Sequence, residues 1–170
     1  MGNPHVRERN ALARSIVTIK PANLVDALEI AHKLRYEDIR EIEALSGLTP
    51  KEAIQTSLMA SQGLGKAYIA YVNESPEVLF GVSGSNTIGV GHPWLLGSSA
   101  ISELPIRFVR LSLRFIKEFQ EIFPILTNII DLRNTIYLKW LEHMGFRIIK
   151  EYPNTGPGRI TVAQFVRLGE

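Results

Sequence analysis

Between residues 15 and 20 apolar and polar side chains alternate, Ser15-Ile-Val-Thr-Ile-Lys20, and this period of two predicts a first strand. The period then lengthens. Leu24, Ala27, Leu28, Ala31 and Leu34 recur at helical spacing behind Pro21-Ala-Asn23, and Asp26 suits the positive start of that helix. A second helix is predicted from about Tyr36 to Ser46, stopped by Gly47. A third opens at Thr49-Pro50-Lys51-Glu52, where a Thr cap, a Pro in first position and a Glu closing the capping box coincide, and it ends near Gly63. Lys66–Val72 and Glu77–Ser83 then predict a hairpin around Asn73-Glu-Ser-Pro76. A further strand is expected within Thr87–Leu96, interrupted by Gly89, Gly91 and Pro93. The longest helix, about Leu104 to Phe123, buries a side that includes Leu111, Phe115, Ile116, Phe119 and Ile122, and Pro124 ends it.

The next stretch is marked at both ends. Asn134 stands before Ile136, Tyr137, Trp140, Leu141 and Met144, which share one helical face, and Gly145 offers a left-handed stop onto which Phe146 folds back. Ile125–Ile130 before it and Phe146–Tyr152 after it read as strands, so the unit is strand–helix–strand. A Gly/Pro loop at Asn154-Thr-Gly-Pro-Gly158 and a last strand near Val162–Leu168 close the chain.

Composition narrows the classes. The 170 residues fit one domain, and 45% hydrophobic with 21% charged positions is enough for a packed core. The absence of cysteine excludes disulfides, zinc–thiolate centres and thiol catalysis. No apolar run is long enough for a membrane span, and the N-terminus lacks an apolar signal core, so secretion is not expected. His5, His32, His92 and His143 form no metal-ligand spacing, so no metal site is expected. A net charge of +2 is too small to argue for nucleic-acid binding by itself. One basic stripe stands out: Arg107, Arg110, Arg114 and Lys117 fall within about 80° of one another on the long helix. A solvated face is one meaning; a partner's acidic patch, a nucleic-acid backbone or a cofactor's phosphates are the others. Residues 1–14 form a polar arm ahead of the domain at 15–170, with few apolar anchors beyond Val6 and Leu12. At roughly 1–2 kcal/mol per ordered residue such an arm is expected to be held by neighbouring chains.

The order strand, helices, three strands, long helix, strand, helix, two strands, together with Asn134 leading to Gly145-Phe146, resembles the GNAT acetyltransferase superfamily across residues 15–168. The resemblance implies an α/β fold: a single GNAT-like domain with a mixed, mostly antiparallel central sheet flanked by helices. It also implies where chemistry would sit. Family enzymes bind acetyl-CoA with a Gln/Arg-x-x-Gly-x-Gly/Ala turn before the long helix; here the turn reads Trp94-Leu-Leu-Gly-Ser-Ser-Ala-Ile-Ser-Glu-Leu-Pro105, with one glycine and with Glu103 near the helix start, where it would repel a pyrophosphate. Leu96 and Asn134 are the positions matching cofactor contacts, and Asn134 has helix capping as its other role. The general-acid slot holds Leu141, which cannot donate a proton. Tyr137, one turn earlier, either substitutes as acid or fills the groove against which the pantetheine arm packs. Residues 87–97 contain no carboxylate; their one titratable side chain, His92, is the candidate base, with a structural histidine as the alternative.

Within the superfamily the chain resembles the internal virion protein A family of short-tailed bacteriophages. The shared pattern is Leu34-Arg-Tyr-Glu-Asp38 with Glu41, then Pro93-Trp94-Leu95-Leu96-Gly97, Pro124-Ile-Leu-Thr-Asn128, Asn134, Trp140-Leu141 and Gly145-Phe146. This implies a virion structural or morphogenesis protein without catalysis or cofactor, located in the virion and the infected-host cytoplasm, with other virion proteins or further copies of itself as partners. The alternative is an N-acetyltransferase using acetyl-CoA on an amine of a small molecule or protein. Weak or absent acetyl-CoA binding is expected from the missing Gly-x-Gly turn.

Overall fold

Seven strands share one sheet: β1 (Val17–Pro21), β2 (Lys66–Val72), β3 (Ser75–Gly84), β4 (Val90–Gly97), β5 (Ile125–Asp131), β6 (Arg147–Thr155) and β7 (Ile160–Leu168). Their spatial order is β1-β2-β3-β4-β5-β7-β6. All neighbours are antiparallel except β4 and β5. The computed structural model describes residues 16–103 and 106–169, and the side chains of 102–109 lie outside what it describes. The polar arm at 1–14 therefore lies outside the described residues, as does the start of the long helix at Leu104 and Pro105.

Helices cover both faces. On one lie α1 (Leu24–Ala31), α2 (Tyr36–Ser46) and α3 (Pro50–Ala60), packing Ala27, Ile30, Ile42 and Ile54 onto Ile69 and Leu79. On the other lie α4 (Ile106–Ile122) and α5 (Thr135–His143), packing Ile116, Phe119 and Tyr137 onto Ala70, Val78, Phe80 and Ile130. The central strands feed two cores because their side chains alternate between faces: Ile69 and Leu79 point one way, Ala70 and Phe80 the other. This is why β2 and β3 read as nearly continuous apolar runs.

The predicted boundaries hold where local chemistry marks them. Asn23 caps α1 by accepting the Asp26 N–H at 2.9 Å, and the Thr49–Glu52 capping box is formed on both sides. Gly47 and Gly145 take φ of +69° and +79°, the left-handed stops of α2 and α5. Phe146 N–H then bonds back to Leu141 O at 2.9 Å, and its ring is buried. The β2–β3 hairpin is tighter than the sequence suggests. Asn73 and Glu74 alone form the turn, with φ of +49° and +70°, and Pro76 pairs with Tyr71 beside a bulge at Ala70/Tyr71. The bulge is what admits a proline inside the ladder. The next strand spans Val90–Gly97 rather than Thr87–Leu96, because Gly89 at φ +77° still turns the chain.

Two substitutions test this packing. A Cβ at Gly91 would lie 2.7 Å from Phe123 Cγ and 2.9 Å from its Cβ, too close for the ring to swing clear. Gly91→Ala is expected to cost about 1–3 kcal/mol of unfolding free energy in a urea titration. Glu74→Gly removes a non-glycine residue from a left-handed position, and the same titration is expected to find about 1 kcal/mol of added stability.

Candidate active site

The sheet splits along its parallel pair. β4 and β5 share two register pairs, Val90↔Ile125 and Gly91↔Leu126, and then diverge. Pro93 contributes to the break, since it has no N–H to continue the ladder. Two side chains bridge the fork where the backbone bonds stop. His92 Nδ1 lies 2.7 Å from Thr127 O, which as a carbonyl can only accept, so Nδ1 carries the proton. Asn128 Nδ2 donates to Pro93 O at 3.0 Å. Above them the strands enclose a cavity of about 310 Å³, walled by Leu95 and Leu96 of β4, Ile129 of β5, Phe115 of α4, and Tyr137 and Trp140 of α5. Strand alternation turns the backbone of Leu95 toward this gap, because its neighbours two residues away, Pro93 and Gly97, both bond on that side.

α2 closes the mouth of the fork with two carboxylates three residues apart. Asp38 Oδ2 accepts the Gly97 N–H at 2.9 Å, at the end of β4. Glu41 Oε1 accepts the Asp131 N–H at 2.9 Å, at the end of β5. Helical spacing puts both on the side that carries Ile42 and Leu45, and all four line the cavity.

A buried network supports this clasp. Arg35 Nη2 lies 2.6 Å from Asp38 Oδ1, in an ion pair whose two side chains are 3% and 1% exposed. The Arg35 N–H also donates to Gly97 O at 3.0 Å, so β4 is held from both sides of its last residue. The guanidinium stacks 4.0 Å above the Tyr137 ring, while its Nε and Nη1 find no acceptor among the described residues. Tyr137 donates its hydroxyl to Asp38 Oδ2 at 3.2 Å. Burial pushes the Asp38 carboxyl above its ordinary pKa, against the pull of Arg35, the Gly97 N–H and Tyr137. Burial also pushes Glu41 up; its bonds to Asp131 and Asn134 pull it down, while the Asp38 and Asp131 charges push the same way as burial. The Tyr137 phenol is held well above its usual value by burial and by the Asp38 charge, so it keeps its proton.

The sequence-predicted residues fall into different places. Tyr137 and Leu96 line the cavity, and the groove is not filled by Tyr137. His92 is not among the lining residues and bridges the fork instead. Asn134 corrects an expectation. It holds the N-cap position of α5 but makes no capping bond with its side chain. Its Nδ2 instead donates to Glu41 Oε2 at 2.8 Å, and its Oδ1 accepts from Arg35 Nη2 at 3.4 Å. A side chain 1% exposed beside a buried guanidinium and a half-buried carboxylate binds them rather than the helix end. Arg35, Asp38 and Glu41 were not predicted as site residues.

Four N–H groups of the turn after β4 bond within the protein. The Gly97 N–H goes to Asp38, the Ser98 N–H to Glu77 O at 2.9 Å, the Ala100 N–H to Ser98 Oγ at 3.2 Å and the Ile101 N–H to Ser98 O at 3.2 Å. Ser98 Oγ bonds the Glu77 carboxylate, which Lys33 Nζ also reaches at 3.0 Å. On α4, Arg110, Arg114 and Lys117 are exposed; the side chains of Arg107 and Glu103 lie outside the described residues.

No protein-family model matches the chain, and no curated protein matches it. Solved structures do match, at the level of fold. A GNAT-family acetyltransferase from Streptococcus pneumoniae superposes with a TM-score of 0.65 at 13% identity, over 91% of this chain and 100% of that one. The ribosomal-protein-S5-alanine acetyltransferase from Vibrio fischeri gives 0.62 at 14% identity, over 92% and 97%. A Bacillus subtilis acetyltransferase solved in complex with CoA gives 0.61 at 8% identity, over 91% and 99%. The chain therefore has the GNAT acetyltransferase fold.

The network yields a stability test. Asp38→Asn leaves the Arg35 guanidinium buried without its counter-ion and is expected to cost about 3–5 kcal/mol in chemical unfolding. Tyr137→Phe removes one hydrogen bond and keeps the stacked ring, and about 1 kcal/mol is expected.

Proposed function

We propose that the protein is an acyltransferase of the GNAT type that holds the pantetheine arm of a CoA thioester, acetyl-CoA being the simplest, in the fork between β4 and β5, for transfer to an amine. The observation that carries this reading is the cavity itself. A parallel pair that stops after two rungs exposes strand edges, and a globular protein normally closes or covers such an edge. Here the gap stays open, is lined mainly by apolar groups and offers the Leu95 backbone as a hydrogen-bonding edge. An extended amide-bearing chain with apolar segments suits both features. The solved neighbours with the same fold are acetyltransferases, one of them holding CoA.

A second reading is supported by a different observation. The N–H groups of Gly97, Ser98, Ala100 and Ile101 are spent inside the protein, in the turn where the resemblance to family enzymes would put the pyrophosphate. A GNAT scaffold without cofactor, serving as a virion structural or morphogenesis protein as the resemblance to internal virion protein A implies, has no need of those donors. Other virion proteins or further copies of the chain would be its partners, in the virion and the infected-host cytoplasm. The exposed stripe of Arg110, Arg114 and Lys117 would meet an acidic partner or a nucleic-acid backbone.

Trp94 and Trp140 are the chain's two tryptophans and both line the cavity, so intrinsic fluorescence reports its occupancy. Acetyl-CoA is expected to change the emission with saturation, while adenosine 3′,5′-bisphosphate, which lacks the arm, is expected to leave it unchanged. No response to either ligand would favour the structural reading, and co-purification with phage particles would then be its positive test.

A further inference from the structure

We propose that Glu41 is the group that holds the acceptor amine and takes its proton, and that the acceptor is a primary amine on an apolar stem. The inference rests on the acyltransfer reading of the cavity for its thioester and on the geometry of the cavity's mouth for everything else. Among the described residues, three titratable side chains line the cavity: Asp38, Glu41 and Tyr137. Asp38 is committed, with Oδ1 on Arg35 and Oδ2 on both the Gly97 N–H and the Tyr137 hydroxyl. Tyr137 is committed to Asp38 and keeps its proton. Glu41 differs. Each of its oxygens accepts one bond from a neutral donor, Oε1 from Asp131 and Oε2 from Asn134. A carboxylate oxygen has room for a second bond, so both can still accept.

No described cation lies within ion-pair distance of Glu41. Arg35 is paired with Asp38, and Arg133 grips Asp131 through Nε and Nη2 at 2.6–2.9 Å. The charged and titratable groups that act on Glu41 are Asp38 from its own helix, Asp131 from β5, and Arg133 and Tyr137 around the start of α5; Arg40, next in sequence, stacks on Tyr36. Both of those acids already hold an arginine, Asp38 with Arg35 and Asp131 with Arg133, which leaves Glu41 as the carboxylate lining the cavity with no described cation of its own. On the same face of α2 as Glu41, Ile42 and Leu45 also line the cavity, and they select an apolar stem behind the amine.

The step balances with the groups named. An ammonium enters and gives one proton to the Glu41 carboxylate. The freed nitrogen lone pair attacks the thioester carbonyl, the C–N bond forms, and the C–S bond breaks with its electron pair on sulfur. The nitrogen's second proton passes through water to the thiolate, the third stays on the amide, and Glu41 returns its proton to solvent. Tyr137 is not needed as the acid. His92 is not needed as the base, and its Nδ1–H remains on Thr127 O throughout.

The test uses the full chain and tryptophan emission, with 2-phenylethylamine and 2-phenylethanol as probes of equal shape and different charge. The wild type is expected to bind the amine about tenfold more tightly than the alcohol, and Glu41→Gln to bind the two alike. The wild-type preference should also fall as the pH drops through the raised pKa of Glu41, because protonation removes the charge that selects the amine. This pH series needs no variant and stands if Glu41→Gln fails to fold. A preference kept in Glu41→Gln, a preference absent in the wild type, or one unchanged between neutral pH and the onset of acid unfolding overturns the proposal. Absence of acetyl-CoA binding in both proteins, with the amine preference present in the wild type and lost in Glu41→Gln, overturns the acyltransfer reading and leaves the amine site standing. Loss of amine and acetyl-CoA binding together in Glu41→Gln would make Glu41 a structural clasp only and overturn its role toward the amine.

Discussion

A parallel pair of strands that separates after two rungs must be held at its far end by something other than ladder bonds, and in this protein that something is α2. Asp38 grips the last residue of β4 and Glu41 grips the last residue of β5. Two carboxylates one helical turn apart thus fix the width of the fork. The geometry of the cavity follows from that clasp at one end and from the His92 and Asn128 bridges at the other. The apolar walls fill in around a frame that hydrogen bonds define.

The clasp carries an electrostatic cost that shapes its surroundings. Burying Asp38 is tolerable because Arg35 is buried with it, and burying Arg35 in turn draws in the face of Tyr137 and the amide of Asn134. Tyr137 and Asn134 both belong to the start of α5 and Gly97 ends β4, so a pair within one helix turn becomes a junction of α2, β4 and α5. Such a junction resists local opening, since loosening any one member strands a charge among apolar groups. Glu41 sits at the edge of this junction, half-buried and supported by neutral donors, which leaves it the carboxylate with capacity for a ligand. Rigidity and reactivity are divided between two acids on the same helix face.

Most of the fold was legible in the sequence because its signals are local. The alternation behind the first strand, found at Val17–Pro21, the Thr49–Glu52 box and the Gly145 stop each act within a few residues, and the box and the stop appear where expected. The site was less legible because its bonds are long-range. Asn134 reads as a cap in isolation, yet its partners Glu41 and Arg35 lie 93 and 99 residues away. His92 was the obvious base by residue type, but the register that sets it against Thr127 depends on where β4 and β5 part. One signal was available. Asp38 and Glu41 share a helical face with Ile42 and Leu45, and charged positions on the apolar side of an amphipathic helix are expensive unless they have partners.

The central claim, that α2 carboxylates replace the missing ladder bonds of the fork, is tested most directly by amide hydrogen exchange measured residue by residue. The Gly97 and Asp131 N–H groups are expected to exchange slowly in the wild type, at rates comparable with paired positions in the central strands. Shortening the clasp with Glu41→Ala should speed exchange at Asp131 while leaving Gly97 protected. Fast exchange at both amides in the wild type, or protection of Asp131 that survives the loss of the Glu41 carboxylate, would contradict the account.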